Sequence, residues 1–371
     1  MSRGSKPGHG LLLFLVVAIL ILAYFAAYGL FPGMRPSEIP LDRGTAWLAR
    51  KQHLDGAWRG EEIAVLRPGP AMTAFVLYAF TRLPKPLRSH YADCMDRAVR
   101  YLEVHISPEG MVGMEPTGSD YPNYATALTV LCFVALRPAG WEEPVARMVD
   151  YLKRAQLDES EGWEPENPEY GGWGFGGPPR PKPDAHRLDI SSTRFALEAL
   201  AAAQVPVEDP VWARARKFLA GCQNPEGDGG FAFTPLADQN KAGAESDATG
   251  KVHLFGYGSA TADGWLALRF AGADQDRYDR AMGWIRRHFS ASQCPGFRPD
   301  APRPWAQGLL GYWLAAAARV LSVEHRPRIR ESIESRQRPD GSWVNDVDVM
   351  LENEPLLATA LAVLAISESM R

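Results

Sequence analysis

One short pattern recurs along the chain with a nearly constant period. An aliphatic residue is followed four positions later by Gln, and then by a Gly and an aromatic residue. The clear copies begin at Leu48, Leu152, Leu219 and Ile333, with glutamines at Gln52, Gln156, Gln223 and Gln337. Degenerate copies begin at Leu102 and Ile285, where the period places them. Six copies of one unit predict a repeat architecture.

Each copy ends an amphipathic helix, and a more apolar helix follows it. Val145 to Ala155 is typical of the first kind, because its charges lie on one face and its apolar residues on the other. The apolar segments are Ala71–Phe80, Tyr124–Leu136, Thr193–Ala203, Ser259–Leu268, Trp305–Ala318 and Leu356–Ile366. They are too short to cross a bilayer, so they belong to a protein core. The alternation predicts an inner ring of apolar helices enclosed by an outer amphipathic ring.

The amino terminus carries a different signal. Residues Leu11 to Phe31 contain no charge and are long enough to cross a bilayer as a helix. Arg3 and Lys6 precede them, which predicts a cytoplasmic amino terminus and a remainder outside the cytoplasm. We therefore expect a cytoplasmic segment (1–10), a membrane anchor (11–31), a linker (32–41) and a repeat domain (42–371). A cleaved signal peptide is the alternative.

The Gln-to-Gly-Trp units resemble the QW repeats of squalene–hopene cyclases and related prenyltransferases. The segment from Tyr257 to Leu268 resembles part of the cyclase carboxy-terminal domain, and Asp189 to Leu197 resembles the start of an inner helix. The resemblance covers roughly residues 42 to 369. It implies an all-α fold, a single (α/α)6 toroid, which the transmembrane helix expected from residues 11–31 would precede.

In the family, the repeat glutamine caps a helix end and the tryptophan packs beside it. An amide can satisfy terminal helix groups, and a tryptophan buries a large area with one N–H to pair. The resemblance thus assigns a structural role to one set of residues: Gln52, Trp58, Gln156, Trp173, Gln223, Gln337 and Trp343.

The catalytic acid of the cyclases is not reproduced. Those enzymes protonate an alkene with the central Asp of an Asp-x-Asp-Asp motif, and the matching position here is Ser191, with only Asp189 retained. A serine hydroxyl is far too weak an acid for that step. The remaining candidate acids are Asp263, inside an inner helix, and Glu354, ahead of the last one. The alternative to a catalytic role is that Asp189 only caps the helix that follows it, and that Asp263 faces solvent.

The amino-terminal ends of the inner helices are expected to meet at one mouth of the ring. Aromatic residues expected to line the cavity there are Tyr121, Tyr124, Phe195, Tyr257, Trp265 and Trp305. In cyclases such rings stabilise carbocations, whereas ordinary core packing is the alternative. Two long connections, 157–188 and 224–255, precede inner helices and would cover this mouth.

Composition narrows the functional classes. A net charge of −4 gives no basic footprint for nucleic acid. The cysteines and histidines show no metal-ligand spacing, and no metal or cofactor is expected. We expect a toroid at the cell membrane that binds a lipid, an isoprenoid or a protein without catalysis. An isoprenoid cyclase or prenyltransferase is the first alternative. A carbohydrate-active toroid that uses Asp263 and Glu354 as paired carboxylates is the second.

Overall fold

The computed structural model describes residues 39–61, 63–114, 121–176, 188–224 and 227–371. Fourteen α-helices and one two-stranded sheet lie in these ranges. The helices are α1 (Ile39–Arg50), α2 (Pro70–Thr81), α3 (Lys85–His90), α4 (Ala92–Glu103), α5 (Pro122–Leu136), α6 (Glu142–Arg154), α7 (Ile190–Ala202), α8 (Pro210–Cys222), α9 (Gly258–Phe270), α10 (Gln275–His288), α11 (Trp305–Gly308), α12 (Leu310–Val320), α13 (Arg326–Glu334) and α14 (Pro355–Ser369). The strands are β1 (Ala244–Ser246) and β2 (Val252–Leu254).

Six of these helices form a closed inner ring. Helices α2, α5, α7, α9, α12 and α14 each contact the next in this order, and α14 returns to contact α2. They are buried along most of their length, as segments that are apolar on every side require. Helices α1, α4, α6, α8, α10 and α13 pack outside this ring. The predicted α/α toroid is therefore the observed architecture.

The repeat tryptophans connect each outer helix to the next inner helix. The indole nitrogens of Trp58, Trp173 and Trp343 donate to main-chain carbonyls at the aliphatic residue that opens each copy, at 2.7–2.8 Å. Their own main-chain N–H groups donate to a threonine hydroxyl in the first turn of the following inner helix. These threonines are Thr73, Thr193 and Thr359. One aromatic residue thus fixes two helices and the loop between them.

The repeat glutamines connect neighbouring units. Each side-chain amide donates to a carbonyl of its own loop and to a carbonyl near the start of the next outer helix. The acceptors in the next helix are Cys94, Val211, Arg277 and Pro40 for Gln52, Gln156, Gln223 and Gln337. The last of these contacts closes the ring, because Pro40 belongs to α1.

Some predicted boundaries were wrong. Helix α1 begins at Ile39, inside the segment predicted as a linker. The inner segment predicted at Trp305–Ala318 is two helices, α11 and α12, and α12 extends to Val320. The connection at 224–255 contains strands β1 and β2, which pair in antiparallel fashion. The fold is mostly helical, but the described part is not free of strands.

The predicted membrane helix at Leu11–Phe31 lies outside the described residues. Within the described ranges, no helix combines the length and apolar character needed to cross a bilayer.

Candidate functional site

The interior of the inner ring contains a buried ion cluster, formed by Arg194, Glu198, Asp263 and Arg319. Arg194 Nε donates to Asp263 Oδ1 at 3.0 Å, and Arg194 Nη1 donates to Glu198 Oε2 at 2.9 Å. Asp263 is only 1% exposed and Arg194 only 3%. The sequence had left open whether Asp263 faces solvent or the interior of the ring. It is buried and paired, and the i, i+4 pairing of Arg194 with Glu198 is present.

The second guanidinium of the ion cluster comes from helix α12. Arg319 Nη2 donates to Glu198 Oε1 at 2.7 Å, and its Nη1 donates to Glu198 Oε2 and to the hydroxyl of Tyr78 at 3.0 Å. Burial opposes ionisation of Glu198, but the charges of Arg319 and Arg194 outweigh it and bring its pKa down to about 2. The pair Asp263 and Glu198 therefore balances two buried cations.

The ion cluster continues to one mouth of the ring through hydroxyl groups. Tyr312 donates to Asp263 Oδ2 at 2.8 Å. The hydroxyl of Ser191 is hydrogen-bonded to those of both Tyr124 and Tyr312. Burial raises the pKa of both tyrosines well above the usual value, so they remain neutral donors. Ser191 is the centre of a neutral hydroxyl chain.

This end of the ring, which we call the amino-terminal mouth, is defined by Tyr121, Tyr124, Lys241, Trp305 and Tyr312. All five side chains are partly exposed. The rings of Tyr121 and Tyr124 meet edge to face, with their centroids 6.4 Å apart. The mouth therefore offers aromatic faces and hydroxyl groups together.

The acidic residues around the amino-terminal mouth cap helices. Asp189 accepts from the main-chain N–H groups of Ser191 and Ser192 at 2.8 Å at the start of α7. Glu352 accepts from Gly311 and Tyr312 at the start of α12, at 2.9 and 2.8 Å. Carboxylates at these positions satisfy helix N–H groups that have no partner within the helix.

Glu354 caps a third inner helix at this end. It accepts from Leu356 at the start of α14, and it also accepts from the main-chain N–H of Ile63. The second carboxylate proposed with it, Asp263, is held by Arg194 and Tyr312. The sequence had paired the two as a carbohydrate-cleaving dyad. Each instead has its own set of partners.

Burial shifts the pKa of two of the capping carboxyl groups upward. It raises the pKa of Asp189 to about 6 and that of Glu352 to about 7, against the hydrogen bonds that favour ionisation. Burial also lowers the pKa of Lys241 to about 7, although the charge of Asp189 acts in the opposite direction. The Lys241 ammonium lies over the ring of Phe233 and 5.9 Å from the ring centre of Trp305.

The aromatic residues predicted at the cavity end do not all lie there. Phe195 is buried against Tyr78 and Tyr124, and the guanidinium of Arg194 covers its ring. Tyr257 is buried and precedes α9. Trp265 faces outward, where its ring packs on Tyr278 of α10. Placing Trp265 at the mouth was wrong because it lies two turns into α9, on the face toward the outer ring.

The sequence analysis missed Arg319, Tyr78, Tyr312 and Lys241. Arg319 was excluded because the apolar segment was ended at Ala318, one residue too early. A charge next to four consecutive alanines near the end of an inner helix could have identified it. Tyr78 and Tyr312 resemble ordinary core aromatics in the sequence, and Lys241 lies in a polar connection. No pattern in the chain distinguished these three.

Within the described ranges, no three His, Cys, Asp or Glu side chains are grouped so that they could hold a metal ion. The cysteines Cys94, Cys132, Cys222 and Cys294 are free and buried.

No known protein family's sequence profile matches the chain, and none of the curated proteins matches it. Solved structures do match. The apo type II terpene cyclase MstE from Scytonema superposes with a TM-score of 0.57 at 14% identity, over 90% of this chain and 98% of that chain. A protein from Actinoplanes has a TM-score of 0.56 at 15% identity, over 90% of this chain and all of that one. A glycosidase variant in complex with glucose has a TM-score of 0.54 at 14% identity, over 91% and 99%.

These similarities define the class of the fold. The chain is an α/α toroid of the terpenoid-cyclase-like type. At this level of identity the similarity extends to the fold alone, since one fold hosts many activities.

Proposed function

We propose that this chain is a non-catalytic toroid that binds a polypeptide partner at its amino-terminal mouth. The supporting observation is the buried ion cluster. A polyene cyclase needs an apolar space in which to fold its substrate, and that space is here crossed by Arg194, Glu198, Asp263 and Arg319. The side chains that define the mouth remain partly exposed.

The carboxyl groups support the same proposal. An alkene is a very poor base, so its protonation needs a strong acid with a free proton. Asp263 is ion-paired with Arg194, while Asp189, Glu352 and Glu354 accept main-chain N–H groups. Burial makes Asp189 and Glu352 weaker acids rather than stronger ones. None of these groups has the environment that the cyclase step requires.

The chemistry of the mouth favours a polypeptide over a lipid. The hydroxyls of Tyr124, Ser191 and Tyr312 are hydrogen-bonded to one another, but each oxygen keeps a free acceptor position, which a hydrocarbon chain would separate from water without replacing the hydrogen bond. A polypeptide offers amides for those hydroxyls and side chains for the aromatic faces of Tyr121 and Trp305. Tyrosine and tryptophan are also the residues enriched at protein interfaces.

The test uses the full-length chain expressed in cells. A photo-crosslinking amino acid at position 121 should form a protease-sensitive adduct in cells, and Trp305→Ala should reduce the yield. The matched control is the same group at Lys217, which is exposed on α8 and should form no adduct. A lipid adduct at position 121 would refute the proposal that the mouth binds a polypeptide. Cyclised product from squalene or shorter isoprenoids would refute the non-catalytic assignment.

A second candidate is a glycoside hydrolase. One observation favours it, because the pKa values of Asp189 and Glu352 are both raised toward neutrality at the same mouth, as a general acid requires. Fluorogenic glycosides distinguish the candidates. Hydrolysis that is lost in Asp189→Asn or in Glu352→Gln, with the fold retained, would establish this function in place of the first.

A further inference from the structure

A cavity lies outside the inner ring, away from the amino-terminal mouth. It has a volume of about 530 Å³ and is lined by α9, α10, the end of α12 and the start of α13. The side chains that matter are Trp265, Tyr278, Arg286, Arg319 and Arg326. Its volume is in the range of small-molecule sites and far exceeds that of a single inorganic ion.

Two hydrogen-bond donors at this cavity have no acceptor. Trp265 is only 7% exposed, and its Nε1 is buried with no partner among the described residues. Arg326 Nε is likewise buried and has no hydrogen-bond partner among the described residues. The repeat tryptophans Trp58 and Trp173, by contrast, both donate to carbonyls. Buried donors are rarely left unpaired, and a water or ligand group that enters between these side chains would supply the acceptor that the described residues do not.

The charges around this cavity are mostly positive. Arg286, Arg319 and Arg326 line it, with Asp279 as an acidic residue on the same wall. Arg319 is neutralised by Glu198, but Arg286 and Arg326 form no ion pair with any described residue. Arg326 is also the first residue of α13, and the positive end of a helix dipole favours an anion. The missing acceptor is therefore expected to be negatively charged.

One wall of the cavity is aromatic. The rings of Trp265 and Tyr278 pack with their centroids 4.4 Å apart and their planes 30° from parallel. An inorganic anion alone would leave this wall and most of the volume empty. An organic group attached to the anion would cover the aromatic wall while the anion faces the guanidinium groups.

We propose that this cavity binds an organic phosphate ester, with the phosphate between Arg286 and Arg326 and the organic group against Trp265 and Tyr278. The site does not depend on the function proposed for the amino-terminal mouth. The phosphate ester can be a soluble molecule or the headgroup of a phospholipid. Both share the chemistry that the cavity recognises, and the experiment separates them.

The test uses the full-length chain in nanodiscs of phosphatidylcholine, with phenyl phosphate as the soluble probe in isothermal titration calorimetry. We expect saturable binding. Arg326→Gln and Arg286→Gln should each weaken it by about tenfold, the usual loss for one charge-assisted hydrogen bond. Trp265→Phe keeps a smaller aromatic ring and removes the unpaired N–H donor, so it should weaken binding by a few fold. Arg298→Gln is the matched control, because Arg298 is exposed and pairs with Asp300.

The headgroup form is tested with vesicles of phosphatidylcholine with and without phosphatidic acid. Binding only to the vesicles that contain phosphatidic acid, weakened by Arg326→Gln but not by Arg298→Gln, would assign the site to a phospholipid. The thermal unfolding midpoints of Arg286→Gln, Arg326→Gln and Arg298→Gln should match that of the unmodified chain, which excludes misfolding as the cause. Absence of saturable binding to both probes, or full affinity in the double variant Arg286→Gln/Arg326→Gln, would overturn the proposal.

Discussion

The side-chain amide of Gln337 donates a hydrogen bond to the main-chain carbonyl of Pro40, 2.9 Å away. This contact joins the last repeat to the first helix. Gly341 lies at the same junction between the last repeat and α1. Its φ is 97°, and a Cβ at that position would lie 2.8 Å from the carbonyl oxygen of Arg43. Any larger residue would therefore be strained and would push the two repeats apart. A closed ring leaves no open end, which an unclosed helical solenoid would have to cap.

Replacing Gln337 with Ala should lower the free energy of unfolding by about 1–3 kcal/mol, because two carbonyl oxygens, those of Pro40 and Gly341, lose their donor. The measurement is urea-induced unfolding followed by circular dichroism. The matched control is Gln275→Ala, at an exposed position at the start of α10, which should change stability by less than about 0.5 kcal/mol. Equal effects of the two substitutions would contradict a role for Gln337 in ring closure.

Trp343→Ala and Trp58→Ala should each cost about 3–5 kcal/mol, since a large buried side chain and a paired N–H are both removed. Trp343→Phe separates the two contributions, because it retains most of the packing and loses only the hydrogen bond to Ile333. It should cost clearly less than the alanine substitution. A loss below about 1 kcal/mol for alanine at both sites would argue against the assigned role of the repeat tryptophans.

The fold could be predicted because each repeat carries its own structural information. Gln, Gly and Trp recur together, and in the structure they contact one another and the adjacent helices. The boundary at Trp305–Ala318 could not be predicted in the same way. Apolar composition is continuous through Leu309 and Leu310, yet the chain changes direction there between α11 and α12. Periodicity identifies buried helices but does not show where one of them is interrupted.

Arg194→Met should destabilise the chain by about 3–5 kcal/mol, because it leaves Asp263 as a buried charge with no cation. The double variant Arg194→Met/Asp263→Leu should recover part of that loss, since the uncompensated charge is removed. Arg298→Met is the control and should cost less than about 1 kcal/mol, as an exposed ion pair does. The two single variants and the double variant are compared with the unmodified chain by urea unfolding. A double variant less stable than Arg194→Met would contradict the ion-pair account.

The site could be predicted only in part. The resemblance located Asp189 and Ser191 at the start of an inner helix, which is where they lie. The sequence does not show that Arg194 is the partner of Asp263, because the two residues lie on different helices and their pairing depends on the packing of the inner ring. Arg319 joins the same cluster from a third helix. Contacts between distant segments follow from the packing of the inner ring rather than from any local pattern.

Glu352 makes stability depend on pH. Burial raises its pKa to about 7 in the folded chain, above the unfolded value near 4.5, so the folded state retains its proton longer. Its stabilising contribution is fully present below the unfolded pKa and is lost as the pH rises through the folded pKa. The loss amounts to about 3 kcal/mol at most. Glu352→Gln should therefore reduce the decline in stability between about pH 5 and pH 7. The free energy of unfolding is measured with urea at several pH values. If it declines as steeply in Glu352→Gln as in the unmodified chain, the raised pKa of Glu352 is contradicted.

The predicted anchor can be tested by topology mapping of the full-length chain. A reporter active only outside the cytoplasm, fused after Arg371, should be active, because the charges of Arg3 and Lys6 hold the amino terminus in the cytoplasm. Exchanging both residues for Glu should reduce that activity, whereas exchanging the exposed Lys217 and Arg298, which lie far from the anchor in sequence, for Glu should not. If a reporter that is active only in the cytoplasm shows activity when fused after Arg371, the predicted orientation, with the toroid outside the cytoplasm, is wrong. Fractionation separates an anchor from a signal peptide, since an uncleaved segment at 11–31 keeps the toroid with the membrane, whereas cleavage releases it.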